Sequence, residues 1–511
     1  MTQDSTTAQE LFTRILEVIE FPDNRSDVQN RLMHETLVLA CHEGLKGTRH
    51  GFGNLSSQVD SLCKQHHIKP QDTVAIHLMR RHSNSVAPIL HNDLLYDCRA
   101  LALFISAVFN TPIPSFLVGK IPTEGRRTAN IQIANYKYIR CTVQSWDDKY
   151  IKVNVLNQEC GEEEVLIDYI NTPEHIDLSY IRKILCEGMQ LNLLDCNVTR
   201  KRIVPRIIVV EPDFLVDISS IANCFEDYGH HPLLFTVNRL QARTATAATL
   251  LGNFAGTALD DIINNPNYNI NETLKANFRN KALDFATCTD FRSDVFKKDG
   301  TEQAQNIQDI VEELFKGYDR NKAILEPSFV CESLGIQGRV DLMTTDFRLL
   351  VEQKSGKNYY IANNRFNNHG SKHLEKHYVQ VLLYFGILQY NFNRSTRSTN
   401  IHLLYSKYPL PDGLLEVESL QSLMMEAIKF RNQVVATEYW IGDNDFAKLI
   451  PHFTPSTLQL NHCNQHFFQQ WILPRLTETL APLHTLTPLE KAYFSRMMRF
   501  VVKEQIISKV G

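Results

Sequence analysis

Residues 336–354 read IQGRVDLMTTDFRLLVEQK and contain two strand-like segments joined by a short polar turn. We predict one strand over 336–343 and a second over 347–354, with Thr345 and Asp346 in the connection. The second segment includes an apolar run typical of a buried strand, and this run ends directly at a charged tripeptide.

The pairing of these two strands predicts that three charged side chains share one face. A connection of two or four residues pairs odd positions of the first strand with even positions of the second. Because side chains alternate across a strand, Asp341, Glu352 and Lys354 are then expected to project together. A shift of one residue would separate them. Gly338 allows the chain to approach closely just before the aspartate.

Two carboxylates and a lysine on one face are groups that phosphodiester hydrolysis can use. Carboxylate oxygens suit Mg²⁺ or Mn²⁺, and the backbone carbonyl of Gln353 offers a further oxygen ligand. Lys354 can position or deprotonate a water and stabilise charge that develops on a phosphate. The competing interpretation is an exposed strand pair of Glu352 and Lys354 beside a solvated Asp341, since Glu-x-Lys is a common tripeptide.

The helix expected from Lys372 onward presents a polar stripe. His373, His377, Gln380 and Tyr384 are spaced four, three and four residues apart, which places them on one helix face. We interpret Gln380 and Tyr384 as facing the site, whereas a surface position is favoured for His373. An ordinary amphipathic helix would give the same spacing.

Positive charge is concentrated around the same residues. Residues 352–377 contain five lysines and arginines against two glutamates, which gives +3 in a chain of net charge −4. Lys357 and the aromatic residues Tyr359, Tyr360 and Phe366 lie within this segment. Such interleaving is typical of a surface that binds the backbone and stacks the bases of a single-stranded nucleic acid, although a basic run is more often a solvated face.

Length, charge and cysteine content indicate a soluble globular protein of several domains. The 511 residues suggest about three domains. The balance of 53 Lys and Arg against 57 Asp and Glu excludes a uniformly basic nucleic-acid-binding protein. The eleven cysteines include no Cys-x-x-Cys pair, which favours free thiols in a reducing cytosol. We read no secretory signal, and the longest apolar stretch, residues 100–109, is too short to span a bilayer, so we expect a cytoplasmic protein.

Periodic patterns predict further elements along the chain. The predicted helices and strands are a helix over 8–45, a β-hairpin over 138–155, a strand at 165–167, a strand at 206–210, a helix N-capped by Asp217, helices over 246–264 and 301–316, and a last helix that begins with a capping box of Thr487 and Glu490. The strands before residue 200 indicate a small β-rich, barrel-like domain.

Three motifs in this order resemble those of the PD-(D/E)XK nuclease superfamily, and of its RecB-like branch in particular. They are Gly-Arg-Val-Asp (338–341), Glu-Gln-Lys-Ser-Gly (352–356) and Gln-x-x-x-Tyr (380–384). The resemblance implies an α/β fold with a restriction-endonuclease-like core, in which helices flank a mixed sheet, and metal-dependent DNA cleavage.

The same resemblance implies roles for individual residues. Asp341, Glu352 and Lys354 would be catalytic, with Gln353 joining the two carboxylates as a ligand of Mg²⁺ or Mn²⁺. Gln380 and Tyr384 would orient the substrate backbone. The remaining substrate-binding candidates are His377, Lys357 and Arg339.

The flanking sequences are similar to the nuclease half of replication-type helicase/nucleases and to the run that precedes their helicase half. The similar segments are 210–219, 250–255 and 489–494, so the resemblance covers about residues 205–511. We expect a helical N-terminal region over 1–125, a small β-rich domain over 126–200, a RecB-like nuclease domain over 201–455 and a C-terminal helical segment over 456–511. We expect this last segment to lead into a helicase part that the sequence does not contain.

One departure from the family pattern concerns the metal ligands. Many RecB-like relatives carry a metal-binding His four residues after a glycine like Gly252, but this chain has Gly256 there. Asp260 or Asp261, one turn later, is a candidate carboxylate, and so is Glu326. A surface acid on the helix is the slightly favoured interpretation of Asp260 and Asp261, and Glu326 is a similarly weak candidate.

A second departure concerns the iron–sulfur cluster of many relatives. Four cysteines hold that cluster, one before the nuclease core and three closely spaced after it. Cys224 fits the first position, but only Cys463 follows the Gln-x-x-x-Tyr motif. Since one or two thiolates cannot hold a [4Fe–4S] cluster, we expect none.

The leading hypothesis is a metal-dependent nuclease of single-stranded or flap DNA that works with a helicase in replication, repair or defence. The alternative is a catalytically silent nuclease-fold module that binds DNA and positions a partner motor. A structural or interaction role is open for residues 1–200. No Gly-x-x-x-x-Gly-Lys-Ser/Thr motif occurs, so helicase activity requires another domain or subunit. Exonucleolytic and endonucleolytic cleavage both fit the motifs.

Overall fold

The computed structural model describes twelve stretches of the chain, which belong to two compact units. The first unit comprises residues 1–131, 364–370 and 418–420, and the remaining residues form the second. The described stretches are 2–21, 26–46, 55–84, 91–125, 134–157, 161–172, 176–199, 202–241, 245–265, 267–358, 373–460 and 463–510.

Five helices form the described part of the first unit. They are α1 (Thr2–Ile19), α2 (Ser26–Gly44), α3 (Leu55–Gln65), α4 (Pro70–Ser83) and α5 (His91–Val108). The predicted single helix over 8–45 is wrong, because α1 ends before α2 begins. The sequence between them contains Pro22, whose missing N–H disfavours a continuous helix. The apolar stripe of α1 faces the common core, where Leu11, Ile15 and Val18 are buried and Ile19 is partly buried.

A closed five-stranded barrel begins the second unit. Its strands are β1 (Ala134–Trp146), β2 (Tyr150–Asn157), β3 (Gly161–Asp168), β4 (Gln190–Thr199) and β5 (Arg202–Val204). The order is β1-β2-β3-β5-β4, and β4 pairs back with β1. This confirms the predicted barrel-like segment and its hairpin, whose turn is closed by Asp147 accepting hydrogen bonds from the backbone N–H groups of Lys149 and Tyr150.

The second unit continues with short strands and longer helices. In chain order they are β6 (Ile207–Val210), β7 (Val216–Asp217), α6 (Ile218–Ala222), β8 (Phe225–Glu226), β9 (Gly229–His230), α7 (Leu234–Leu240), α8 (Ala247–Asn264), α9 (Ile270–Asn280), α10 (Ala282–Thr287), α11 (Ser293–Leu314), β10 (Ala323–Leu325), β11 (Ser328–Cys331), β12 (Ile336–Arg339), β13 (Leu342–Thr344), β14 (Leu349–Lys354), α12 (Glu375–Phe392), β15 (Asn400–Tyr405), β16 (Leu414–Val417), α13 (Gln421–Asp443), α14 (Pro455–Leu458), α15 (Gln465–Phe467), α16 (Leu473–His484) and α17 (Pro488–Val510).

Most of the predicted elements in this part are found. The strand at 206–210 corresponds to β6, the helix over 246–264 to α8, and the helix over 301–316 to the second half of α11. Asp217 occupies the N-cap position of α6. Thr487 and Glu490 form the predicted capping box of α17 through reciprocal hydrogen bonds. In the described stretches, no helix has the length and apolar character needed to cross a membrane.

A mixed five-stranded sheet carries the charged residues of the predicted site. Its order is β10-β13-β14-β15-β16, with β14 and β15 parallel and the other neighbours antiparallel. Leu349 and Val351 of β14 share a core with α8 and α11. Helix α12 packs against β14 and β15, on the side to which the even-numbered residues of β14 point. The fold is therefore mixed α/β, with helices against this sheet.

β13 pairs with β14 in the predicted register, in which odd-numbered residues of the first strand lie opposite even-numbered residues of the second, because Met343 lies opposite Leu350. The predicted continuous strand over 336–343 is wrong. β12 pairs with β11 and β7 in a separate three-stranded sheet, whereas β13 belongs to the mixed sheet. Between them, Val340 N donates to Pro327 O, and Asp341 O accepts from Glu326 N. Asp341 therefore lies where the chain crosses from one sheet to the other.

Arg431 of α13 is fully buried and ties this helix to loops of the same unit. Its guanidinium donates to the backbone carbonyls of Val210, Glu211, Phe214 and Gly335. A planar group with five N–H donors is suited to such a set of acceptors.

Replacement of Arg431 is expected to destabilise the protein strongly. Arg431→Met leaves four carbonyls without their donor, so the free energy of unfolding should fall by at least about 3 kcal/mol. Urea-induced unfolding measures this loss. Arg279→Met on the exposed side of α9 is the matched control, and equal stability of the two variants would contradict the assignment.

Candidate functional site

Strand β14 places Glu352 and Lys354 on one face and Gln353 on the other. The side chains of residues 349–351 are buried, so the strand has both faces covered and carries Glu352 into the interior, where it is 3% exposed. Lys354 Nζ lies 2.7 Å from Glu352 Oε1. The two residues thus form an ion pair in which the carboxylate of Glu352 is buried and Lys354 is half-buried, instead of an exposed strand pair.

Gln380 of α12 completes a hydrogen-bonded triangle with these two residues, which we call the Glu–Lys–Gln triangle. Lys354 Nζ donates to Gln380 Oε1 at 2.9 Å, and Gln380 Nε2 donates to Glu352 Oε1 at 2.6 Å. Glu352 Oε2 is buried and has no hydrogen-bond partner among the described residues. One carboxylate oxygen therefore accepts two hydrogen bonds, while the other accepts none.

Asp341 lies beside this triangle. Its Oδ2 accepts a hydrogen bond from Gln353 N at 2.7 Å. Burial raises the pKa of Asp341, and the charge of Lys354 opposes this rise. Burial also raises the pKa of Glu352 to about 8; Lys354 opposes the rise, and the charge of Asp341 adds to it. The structure thus brings the three predicted catalytic residues together.

Tyr384, one turn along α12 from Gln380, fixes the chain just before Asp341. Its hydroxyl donates to Arg339 O at 2.6 Å. A Cβ on Gly338 would lie 2.8 Å from Tyr384 Cε1, so only glycine allows this close approach. The Arg339 side chain is exposed and forms an ion pair with Glu326 at 3.1 Å. Tyr384 therefore positions backbone, whereas Arg339 faces outward.

Of the two histidines of the predicted stripe, His373 is buried and His377 is half-buried. His377 Nδ1 lies 2.9 Å from the Tyr405 hydroxyl, and burial, with the nearby charge of Lys354, lowers the pKa of His377 to about 2. His373 is fully buried, and its ring packs at a tilt against that of Tyr378, with the ring centres 4.6 Å apart. The surface position favoured for His373 is therefore wrong, because this ring fills the space before the first turn of α12.

Only part of the predicted basic segment belongs to the described residues. Lys357 is exposed just after β14. Lys376 forms an ion pair with Glu226 at 3.0 Å. Residues 359–372, which include the three aromatic residues named for this segment, lie outside the described residues.

Asp260 on α8 and Glu326 add negative charge around Asp341. Burial raises the pKa of Asp260 to about 6, and the charges of Glu326 and Asp341 contribute to the rise. Glu326 has a left-handed φ of 48° directly before Pro327, an unfavourable conformation for a residue in this position. The carboxylates of Asp260, Glu326, Asp341 and Glu352 thus form an electrostatically linked group that a cation would stabilise.

Helix α8 approaches the end of β14 through two glycines. A Cβ on Gly252 would lie 3.1 Å from Ser355 Oγ, and one on Gly256 would lie 3.9 Å from Gln353 Oε1. Position 256, where the family pattern has histidine, therefore faces an amide. Asp261, the other acid considered on this helix, accepts a hydrogen bond from a threonine of α9.

The donor atoms of the site suit a hard divalent cation. No group of three or more His, Cys, Asp and Glu side chains within the described stretches has the spacing of a metal site. Mg²⁺ is commonly bound through only one or two carboxylates, with water completing its shell. The carboxylates of Asp341 and Glu352 and the carbonyl of Gln353 provide such oxygen atoms, and Glu352 Oε2 is a buried acceptor to which no described residue donates. The residues therefore fit Mg²⁺ or Mn²⁺.

A buried polar network behind β14 was not predicted. Gln353 Nε2 donates to Ser406 Oγ at 3.2 Å, and Ser406 Oγ donates to Gln303 Oε1 at 2.7 Å. Gln303 Nε2 donates to Ser355 O at 3.2 Å, and Asn306 Nδ2 donates to Ser406 O at 3.0 Å. The network holds Gln353 in place, and the backbone N–H of this residue donates to Asp341. Its sequence signal is two polar residues, Gln303 and Asn306, at buried positions of α11.

Comparison of the chain with protein-family profiles, curated proteins and solved structures gave no match. Function is therefore inferred from the geometry and chemistry of the described residues.

The contact between Gly338 and Tyr384 can be tested through stability. Gly338→Ala is expected to lower the free energy of unfolding by about 1–3 kcal/mol, because the added methyl group forces the tyrosine ring to move. Gly356→Ala is the matched control, since its Cβ would meet nothing within 4 Å. Thermal unfolding measures both, and indistinguishable midpoints would contradict the role given to Gly338.

Proposed function

We propose that the chain is a Mg²⁺- or Mn²⁺-dependent deoxyribonuclease that hydrolyses phosphodiester bonds of single-stranded or flap DNA. The observation that carries the proposal is the Glu–Lys–Gln triangle beside Asp341, in which one buried oxygen of Glu352 has no donor within the described stretches. The mixed sheet with helices against it is compatible with a restriction-endonuclease-like core, which forms part of the proposal.

In this proposal, Asp341, Glu352 and the backbone carbonyl of Gln353 hold the metal ion, and Asp260 is the additional candidate ligand. The bound ion supplies Lewis acidity that polarises the scissile phosphate and lowers the pKa of water. The hydrogen bond from Gln353 N keeps Asp341 Oδ2 in place. The buried network around Ser406 keeps Gln353 itself in place.

Lys354 carries the positive charge that acts on the substrate. An ammonium group has three N–H donors, and two of them are used by Glu352 and Gln380. The third N–H would contact the phosphate or the attacking water. Gln380 therefore orients the ammonium group as well as the carboxylate, because its amide bonds to both.

A purely structural ion pair is the simplest competing explanation. A buried ion pair is costly to desolvate, and apolar residues often replace such pairs without loss of stability. A buried acceptor without a donor costs a further ~1–3 kcal/mol. A cation bound to Glu352 Oε2 would remove this cost, and the linked charges of Asp341 and Asp260 would favour the same cation. These features support a metal site over a structural pair.

The second candidate function is a catalytically silent nuclease-fold module that binds DNA and positions a partner motor. Gly256 favours it, because this glycine stands where relatives with the resembling pattern have a metal-binding histidine. For either function, we propose a helicase domain or subunit as partner, a role in replication, repair or defence, and a cytoplasmic location.

Cleavage of end-labelled single-stranded, flap and duplex DNA with Mn²⁺ tests the nuclease proposal. Lys354→Ala is expected to reduce the rate on single-stranded or flap DNA at least about 100-fold, because it removes the cation that acts on phosphate and water. Glu352→Ala is expected to have a similar effect through loss of a metal ligand.

Lys298→Ala, on the exposed side of α11, is the control for removal of a lysine and should cleave at the wild-type rate. Cleavage by Lys354→Ala at the control rate would contradict the proposal. Binding of DNA by the wild-type protein with no cleavage in either metal would favour the silent module instead.

A further inference from the structure

Cations are concentrated where β1 of the barrel meets the C-terminal end of α12. Lys137 Nζ donates to Asn393 Oδ1 at 2.6 Å, which joins the two elements. Residues 134–140 and 390–400 contain no Asp or Glu. Their basic residues are Lys137, Arg140, Arg394 and Arg397, of which Arg140 is neutralised by an ion pair with Asp213.

Three aromatic rings are exposed on the two elements that this hydrogen bond joins. Tyr136 is 50%, Tyr138 44% and Phe392 39% exposed, which is unusual for side chains of this size. Two of them are also anchored. The Tyr138 hydroxyl donates to Asn192 Oδ1 at 3.0 Å, and Phe392 packs against Phe347 at 4.6 Å. The rings are thus held by the fold while a large part of each remains accessible.

Arg394 adds a cation that is oriented by an aromatic ring. Its guanidinium carbon lies 4.8 Å from the ring centre of Phe347, the residue that supports Phe392. We call Tyr136, Lys137, Tyr138, Phe392 and Arg394 the aromatic surface. Asp195, the acid of β4 in this neighbourhood, accepts a hydrogen bond from the Tyr390 hydroxyl at 2.7 Å.

The aromatic surface is connected to the candidate site through α12 and β11. Gln380 and Phe392 are twelve residues apart on α12, which corresponds to about 18 Å along the helix. Asn391, beside Phe392, donates to the backbone carbonyl of Val330 on β11. β11 pairs with β12, and this pairing places Ser328 opposite Arg339 at the site.

We propose that the aromatic surface binds a single strand of DNA that extends from the candidate site. Unpaired bases stack on exposed rings irrespective of sequence, and the neighbouring cations bind the phosphates. A duplex does not offer its base faces, so the surface selects single-stranded over double-stranded DNA. This inference rests on the proposed function, because it assigns the strand on which the nuclease site acts.

Binding without cleavage tests the inference. Fluorescence anisotropy would use labelled oligothymidine and a duplex of equal length, in EDTA so that no metal-dependent cleavage occurs. Tyr136→Ala and Phe392→Ala are each expected to weaken binding of oligothymidine about fivefold or more, with duplex binding unchanged. Lys137→Gln should lower the magnitude of the salt dependence by about 0.7 in log–log slope, the value for one phosphate contact on a single strand.

Leu283→Ala, which removes a 76% exposed apolar side chain on α10, is the matched control and should bind like the wild type. Phe392→Ala loses the packing of this ring on Phe347, so its unfolding midpoint should fall somewhat, and binding is compared at a temperature at which every variant is folded. Wild-type affinity of the Tyr136 and Phe392 variants for oligothymidine would overturn the inference. An equal loss for duplex would also overturn it.

Cleavage kinetics separate this inference from the proposed function. With oligothymidine long enough to span the site and the aromatic surface, Phe392→Ala should raise KM at least about fivefold with kcat unchanged. Lys298→Ala, on the exposed side of α11, should bind and cleave oligothymidine like the wild type. Loss of strand binding in the surface variants, in a protein that cleaves nothing, would uphold the surface and refute the nuclease. A normal KM in those variants, with cleavage that depends on Lys354, would refute the aromatic surface and uphold the nuclease.

Discussion

Burial of the apolar run at residues 349–351 on both faces of β14 is the constraint on which the candidate site depends. Each such side chain contributes about 1.5–3 kcal/mol when it is fully buried, and together they hold β14 inside the mixed sheet. Because the run continues directly into Glu352, the same burial desolvates a carboxylate. Lys354 and Gln380 donate hydrogen bonds to one of its oxygens, and the other has no donor among the described residues.

The parity of the β13–β14 pairing and the polar stripe on α12 could be predicted, because both follow from the periods of strand and helix. The crossing at Asp341 could not. It depends on long-range pairing of residues 340 and 341 with the segment around Glu326 and Pro327, and local patterns do not encode such contacts. The break between α1 and α2 could have been predicted from Pro22, which disfavours the continuous helix expected over 8–45.

Burial was the property that sequence patterns predicted least well. His373 was expected at the surface, but its position before the first turn of α12 packs it on Tyr378. The network of Gln303, Asn306 and Ser406 escaped prediction because each residue alone looks like an ordinary polar residue of a surface. Only the fold shows that they are buried together behind β14.

Helix α12 contributes residues both to the candidate site and to the aromatic surface proposed to bind the substrate strand. Its first half supplies Gln380 and Tyr384 to the site, and its last turn supplies Phe392 to the aromatic surface. A rigid helix of this kind fixes the separation of the two regions, because its rise is about 1.5 Å per residue. The alignment of a bound strand would thus be set by a single element of the fold.

The central claim is that Asp341 and Glu352 hold a divalent cation beside Lys354. Titration of the metal-free protein with Mn²⁺, followed by electron paramagnetic resonance of the free ion, tests it most directly. We expect stoichiometric binding that Asp341→Asn and Glu352→Gln each weaken at least about tenfold, since each variant removes an anionic ligand. Mn²⁺ binding of equal affinity in the wild type and both variants, or no binding in the wild type, would contradict the claim.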